Sequence, residues 1–183
     1  MYELPFGKHQ GAKGKLLNGW SVSGVTTIQN GLPLTITDSQ AGTIYGASGG
    51  RAQMCAGATH DSIPTSGSIH ERLGGASGGS GYLNRAAFCA APTGGTYGNG
   101  TGWGNSGIGI LRGPGQFNWD ISLIKDTMIR EGHRFQFRTE FYNAFNTPQF
   151  GNPNTALRDT TFGQINATSV NPRIIQFGFK YLF

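Results

Sequence analysis

Charge is scarce in this sequence: Asp, Glu, Lys and Arg make up 13% of its 183 residues. The charged i,i+4 pairs and long apolar stripes of a helical bundle are missing, which excludes that class. No apolar run approaches the roughly 20 residues of a membrane helix. That absence excludes helical spans but leaves membrane strands open, because they alternate between apolar and polar residues. The net charge is +5, yet only Lys8, Lys13 and Lys15 cluster, so no nucleic-acid-binding patch is expected. The first residues, 1–6, lack a basic-then-apolar leader. Histidines number four and cysteines two. His9, His60, His70 and His133 stand at unrelated places, and no nucleophile–base constellation forms around them. Neither enzymatic activity nor a cofactor is expected.

Glycine, in contrast, is abundant at 31 residues, and with Thr, Ser, Asn and aromatics it suits β structure joined by long loops. The clearest strand is the last. In residues 172–183, Ile175, Phe177, Phe179, Tyr181 and Phe183 fall on one face, and Ile174, Gln176, Gly178, Lys180 and Leu182 on the other. Residues 2–6 look like the tail of another strand. Residues 7–18 read as a Gly- and Lys-rich turn. A strand opens at Gly19, with Trp20, Val22, Gly24, Thr26 and Ile28 on one face. Its paired part is expected to end near Asn30, before Gly31 and Pro33. Residues 117–129 and 134–145 form two more strands, joined by a tight turn through Gly132.

The strand 134–145 says most about its surroundings. Phe135, Phe137, Thr139 and Phe141 share one face; Arg134, Gln136, Arg138, Glu140 and Tyr142 share the other. Alternating Arg and Glu would be costly against a dry core but suit a wet lumen. The fold expected is therefore all-β: antiparallel up-and-down strands of a transmembrane β-barrel, with long extracellular loops. Four or five strands fall short of the roughly 8 that close the smallest barrel, so the barrel is partial. Residues 39–116 are expected to be a long Gly-rich extracellular loop with little alternation, holding short elements near residues 43–45 and 86–90. Residues 146–171 form a second long loop. If Phe183 ends at the periplasmic rim, both shorter connections (7–18 and 130–133) lie on that side. The lumen-facing candidates for function are Arg138, Glu140 and Tyr142; in the loops they are Tyr45, Tyr82, Tyr97 and Trp103.

The segments 118–125, 135–153, 162–165 and 173–178, including Asn118-Trp-Asp-Ile-Ser and Phe141-Tyr-Asn-Ala-Phe-Asn-Thr-Pro, resemble the C-terminal barrel strands of TonB-dependent outer-membrane receptors. Leu4-Pro-Phe-Gly, Gly19-Trp-Ser-Val-Ser-Gly and Leu111-Arg-Gly-Pro-Gly resemble the Oar-like group, common in Acidobacteria, whose members carry a carboxypeptidase-regulatory-like domain. Gln176, Gly178, Tyr181 and Phe183 resemble the C-terminal insertion signal of outer-membrane proteins. The resemblance implies a Gram-negative outer-membrane location, a barrel of about 22 strands with a plugged lumen, and an N-terminal plug and TonB-contacting box. Neither plug nor box is in this sequence, which reads as the C-terminal piece of a larger receptor. The implied partners are membrane lipid, the barrel-assembly machinery, TonB through the missing N-terminal part, and a small-molecule or oligomeric substrate. Alone, such a piece would expose an apolar face and two sheet edges, and would aggregate or need detergent.

Weaker motifs resolve to bland readings. Cys55 and Cys89 share one loop, and either a disulfide or two unpaired thiols is open. With His60 and His70 they match no zinc spacing. Gly102-x-Gly-x-x-Gly107 has no strand before it or helix after it, so it carries no phosphate-binding signal. The sequons at Asn99 and Asn166 are chance matches. Asp120 and Glu140 form an acid pair that a polar lumen explains without glycosidic chemistry. Two rival readings remain: a secreted or surface β-rich binding module of adhesin type, and a small barrel completed by oligomerisation.

Overall fold

The computed structural model describes residues 1–6, 9–47, 49–75, 78–92 and 100–183. The chain divides into two compact units. The first comprises Met1–Gln29, Gln116–Gln149 and Val170–Phe183; the second comprises Asn30–Gly115 and Phe150–Ser169.

The first unit is a five-stranded antiparallel sheet in which each strand pairs with its neighbour in sequence. Its strands are β1 (Tyr2–Glu3), β2 (Trp20–Gln29), β3 (Gln116–Arg130), β4 (His133–Tyr142) and β5 (Ile174–Leu182). Pairing is continuous along the long strands: Trp20 opposes Lys125, Ile28 opposes Phe117, Phe141 opposes Ile121, and Phe135 opposes Tyr181. β3 and β4 meet through Glu131 and Gly132, with Gly132 at φ +78°, which a side chain would resist. The register carries the period-two pattern across strands. One face holds Trp20, Val22, Phe117, Trp119, Ile121, Leu123, Phe135, Phe137, Phe177 and Phe179; the other holds Ser23, Asp120, Ser122, Asp126, Gln136, Arg138, Glu140 and Lys180. The rings of Phe137 and Phe179 approach to 5.0 Å and those of Phe137 and Phe177 to 6.1 Å. These cross-strand aromatic pairs lock β4 to β5. The sheet is open: among the described residues β5 has a partner on one side only, and β1 covers just two residues of β2.

Two expectations for this unit need correcting. Within the region read as a turn, Gly11–Leu17 forms a short helix, α1. Gly14 is its one buried residue, and a Cβ there would collide with the His9 carbonyl. The glycine thus serves close packing rather than a turn. The strand expected to run to residue 145 stops at Tyr142, because Asn143 turns to φ +51°. Asn143 is buried and joins three segments. Its N–H donates to Asp120 Oδ1 (2.9 Å), its Oδ1 accepts from the Thr147 N–H (3.0 Å), and its Nδ2 donates to the Thr147 and Asn171 carbonyls (3.1 and 3.2 Å).

The second unit corrects a larger expectation. Residues 39–116 are not a structureless loop: the segment folds from Asn30 onward, together with Phe150–Ser169. Two-residue strands pair Pro33–Leu34 with Leu111–Arg112, Thr37–Asp38 with Gly50–Arg51, and Gln53–Met54 with Phe88–Cys89. Short 3₁₀ turns occupy Thr43–Tyr45 and Arg85–Ala87, where short elements were expected. A core gathers Ile36, Ile63, Leu83, Phe88, Leu157, Phe162 and Ile165. Ile36 and Ile63 are fully buried, each worth about 2–3 kcal/mol of apolar burial. Strands this short leave no alternation to read in the sequence.

Candidate functional site

The polar face of the sheet presents the three lumen candidates in a row along β4. They stand on alternate residues, so their side chains share a side. Glu140 is the hub: Arg138 Nη1 lies 3.4 Å from its Oε1, and Tyr142 OH donates to its Oε2 at 3.2 Å. Arg138 is 47% exposed and the ion pair is long, so it adds little stability and leaves the guanidinium free to meet solute. Neighbouring rows continue the pattern. Gln136 donates to Asp126 (3.1 Å), and Asn118 donates to Asp120 (3.1 Å). This is a wettable wall of small ion pairs and amides. No described group of three or more His, Cys, Asp or Glu residues could hold a metal ion.

Along β5, Gln176 opposes Glu140 and Gly178 opposes Arg138, while Tyr181 lies on the apolar face opposite Phe135. A Cβ on Gly178 would meet the nearest atom, Arg138 Cβ, at 3.9 Å, an ordinary contact. The tight fit that would demand glycine is therefore absent there. Tyr181 shares a 2.6 Å hydrogen bond with His133 Nδ1, and the Phe183 ring stacks on Tyr181 at 6.0 Å while staying almost wholly exposed. An exposed aromatic at a strand's end suits a membrane interface or a recognition event.

The second unit holds the other candidates. Tyr45 and Trp103 are exposed, and their rings stack 6.0 Å apart, nearly parallel. Gly42 and Gly50 make room for Trp103, since a Cβ on either would press on the indole. Tyr82 is different from expectation: it is buried in the core, donates its OH to the Arg112 carbonyl (3.1 Å) and lies under the Arg72 guanidinium at 4.0 Å. It is a packing residue. Tyr97 lies outside the described residues. Cys55 and Cys89 form a disulfide with Cα atoms 5.0 Å apart, which removes both as metal ligands. Closing a loop of 34 residues' separation contributes about 3–4 kcal/mol by restricting the unfolded chain.

Sequence reasoning missed the main polar contact of this unit. Asp38 is fully buried and receives two hydrogen bonds from Arg158, from Nε at 2.8 Å and Nη2 at 2.9 Å. Arg158 holds the Asp38 carboxyl below the ordinary carboxylate range; burial opposes this, and the Gln40 N–H reinforces it. The Arg158 guanidinium is held even more firmly protonated by the same bonds. The partners are 120 residues apart, so no local pattern could announce them. Beside them opens a cleft of about 540 Å³ lined by Thr35, Thr37, Arg51, Ile108 and Asp159.

No curated protein and no solved structure was found to match the chain. Residues 1–176 match the family model described as the outer membrane beta barrel domain. That match, the antiparallel meander and its two contrasting faces agree, and the chain belongs to this family of outer-membrane proteins.

Proposed function

We propose that the chain is the C-terminal wall of a TonB-dependent receptor barrel, non-catalytic and serving nutrient uptake. One observation carries the reading: the open five-strand meander sets an apolar aromatic face against a charged, hydrogen-bonded one. Such a wall needs lipid on one side and water on the other. The resemblance of residues 118–125 and 135–153 to the last strands of these receptors supplies the finer identity. The connections support an orientation. Two residues join β3 to β4 at one end, whereas 86 residues, Asn30–Gly115, separate β2 from β3 at the other. Short connections face the periplasm and long ones the exterior in such barrels. The second unit is then the external one, and Arg138, Glu140 and Tyr142 line the solute path.

The test is an epitope tag at Gly57, a glycine with open space around it, in the receptor expressed in its own cells. Antibody staining of intact cells and substrate accumulation that stops on adding a protonophore are expected. Tag exposure only after outer-membrane permeabilisation overturns the orientation. Accumulation indifferent to the protonophore overturns energised transport. The folded second unit, with its cleft and its Tyr45–Trp103 stack, also favours a rival: a barrel-anchored binding module without transport. Surface staining with ligand binding but no accumulation would establish that rival.

A further inference from the structure

The apolar face of the sheet carries a fixed charge away from its strand ends. Lys125 stands on it between Trp20 of β2 and Phe137 of β4. Among the described residues of the five strands, the other Lys, Arg, Asp or Glu on that side is Arg130 at the end of β3, which a bulge sets opposite His133. Lys125 is 8% exposed. Its ammonium donates to two backbone carbonyls, those of Asn18 and Asp126, and lies 5.7 Å from the Trp20 ring centre. It has no ion pair with a described carboxylate. The nearest acidic side chain in sequence, Asp126, points to the other face and accepts from Gln136. The charge is thus solvated by dipoles and feels Asp126 through space, but it has no directly bonded carboxylate. Left so against hydrocarbon it is costly, by an amount that falls toward the membrane interface.

A groove of about 430 Å³ opens at this point, between α1 and the end of β3. Lys125, Lys15, His9, Asp126 and Thr127 are among the residues that line it. Lys15 and His9 are exposed. An ammonium has three donors, and two of those on Lys125 are in use. The groove therefore offers a third Lys125 donor, a second ammonium and a hydroxyl, beside an imidazole whose Nε2 is bonded to the Phe6 carbonyl; Asp126 also belongs to its wall, with its carboxylate engaged by Gln136. Its floor lies on the face that meets lipid.

We propose that this groove binds the phosphate of an anionic glycerophospholipid, with the acyl chains lying along the aromatic face below. The phosphate supplies the counter-charge that Lys125 lacks, and Lys15 sets the preference for a headgroup of net negative charge. Lipid is the source because the site sits on the apolar face, where the chains gain burial that a free phosphate cannot. The inference needs only that this face meets lipid, and it is independent of what the barrel transports.

The test uses the full chain in zwitterionic detergent, titrated with phosphatidylglycerol, phosphatidylcholine of the same acyl chains, or glycerol 3-phosphate, with bound adducts read by native mass spectrometry. One phosphatidylglycerol per chain is expected, held several-fold more tightly than phosphatidylcholine. Lys125→Gln and Lys15→Gln should each weaken that preference about fivefold, and Lys125→Arg should keep it. Lys180→Gln, which removes a charge from the polar face, should leave it unchanged. Equal binding of the two lipids overturns the proposal, as does an unchanged preference in both Gln variants. Glycerol 3-phosphate binding as tightly as phosphatidylglycerol overturns the lipid source. Lys125 also holds the Asn18 carbonyl; if its Gln variant fails to fold, the exposed Lys15 carries the same test alone.

Discussion

Removing the Arg158 guanidinium should loosen the second unit in a way that depends on pH with an unusual sign. Arg158→Ala leaves Asp38 buried with one remaining donor, the Gln40 N–H at 3.0 Å. Breaking a buried pair by deleting one partner costs about 3–5 kcal/mol. Arg158 keeps 39% of its side-chain surface in solvent, which screens the pair and brings the expectation to about 2–3 kcal/mol at neutral pH. In the parent chain the Asp38 carboxyl is held below its ordinary value. Its stabilisation is therefore complete above the unfolded carboxylate range, near pH 4, and is lost as pH falls through the folded value. In the variant the guanidinium is gone and burial dominates, raising the carboxyl above its unfolded value. Stability then grows as pH falls, because the folded state binds the proton more tightly. The penalty of the substitution should shrink between pH 7 and pH 4. Hydrogen exchange of peptides spanning residues 36–54 and 155–165, in the detergent-folded chain with rates corrected for intrinsic pH dependence, reads this locally. Protection lost equally at both pH values, or a loss under about 0.5 kcal/mol at pH 7, would refute the reasoning.

Other expectations follow from single contacts. Cys55→Ser with Cys89→Ser should destabilise the second unit by about 3–4 kcal/mol, seen as faster proteolysis near residues 53–58, with membrane insertion unaltered. Thr139 lies between Leu123 and Phe177 on the apolar face; Thr139→Arg should cost about 2–4 kcal/mol at mid-membrane depth and lower the folded fraction in vesicles, whereas Gln136→Arg on the polar face should be tolerated. Phe183→Asp, or deletion of Phe183, should reduce the level of the protein in the outer membrane while leaving the second unit's fold intact in the molecules that insert; unchanged levels would remove the insertion-signal reading.

The sheet was legible because its physics is local. Alternation through Phe135, Phe137 and Phe141 against Arg134, Gln136, Arg138 and Glu140 marks faces, and the two-residue turn at Glu131 and Gly132 sets the register of β3 on β4. The end of β4 was not legible. Phe141, Tyr142 and Phe145 look strand-like, and the stop depends on Asn143 adopting a left-handed φ held by partners at Asp120, Thr147 and Asn171. Glycine misled at α1, where Gly14 reads as a helix breaker but is needed for the approach to His9. The second unit hid for a different reason. Its apolar residues arrive singly (Ile36, Ile63, Leu83, Leu157, Phe162) and converge only through long-range contacts. Asp38 and Arg158 are legible only once Thr37 and Leu157 are known to be neighbours, joined by the Leu157 N–H donating to the Thr37 carbonyl at 2.8 Å.

The two units draw on different solvents for their stability, and this decides how their variants should be read. Ile28, Phe117, Phe177 and Phe179 are each more than half exposed in the chain itself. Water offers nothing for that face, and each aromatic ring moved into hydrocarbon recovers about 2–3 kcal/mol. The sheet's free energy is therefore set chiefly by the membrane and by strands that complete its open edges. In the second unit, Ile36, Ile63 and Asp38 have no exposed surface, and the disulfide and the Arg158 pair close the fold internally. Its free energy is set within the chain. A substitution at Asp38 or Arg158 should thus appear as local opening with insertion intact. One at Thr139 or Phe183 should appear as lost insertion, with the second unit's exchange protection unchanged in the molecules that remain folded.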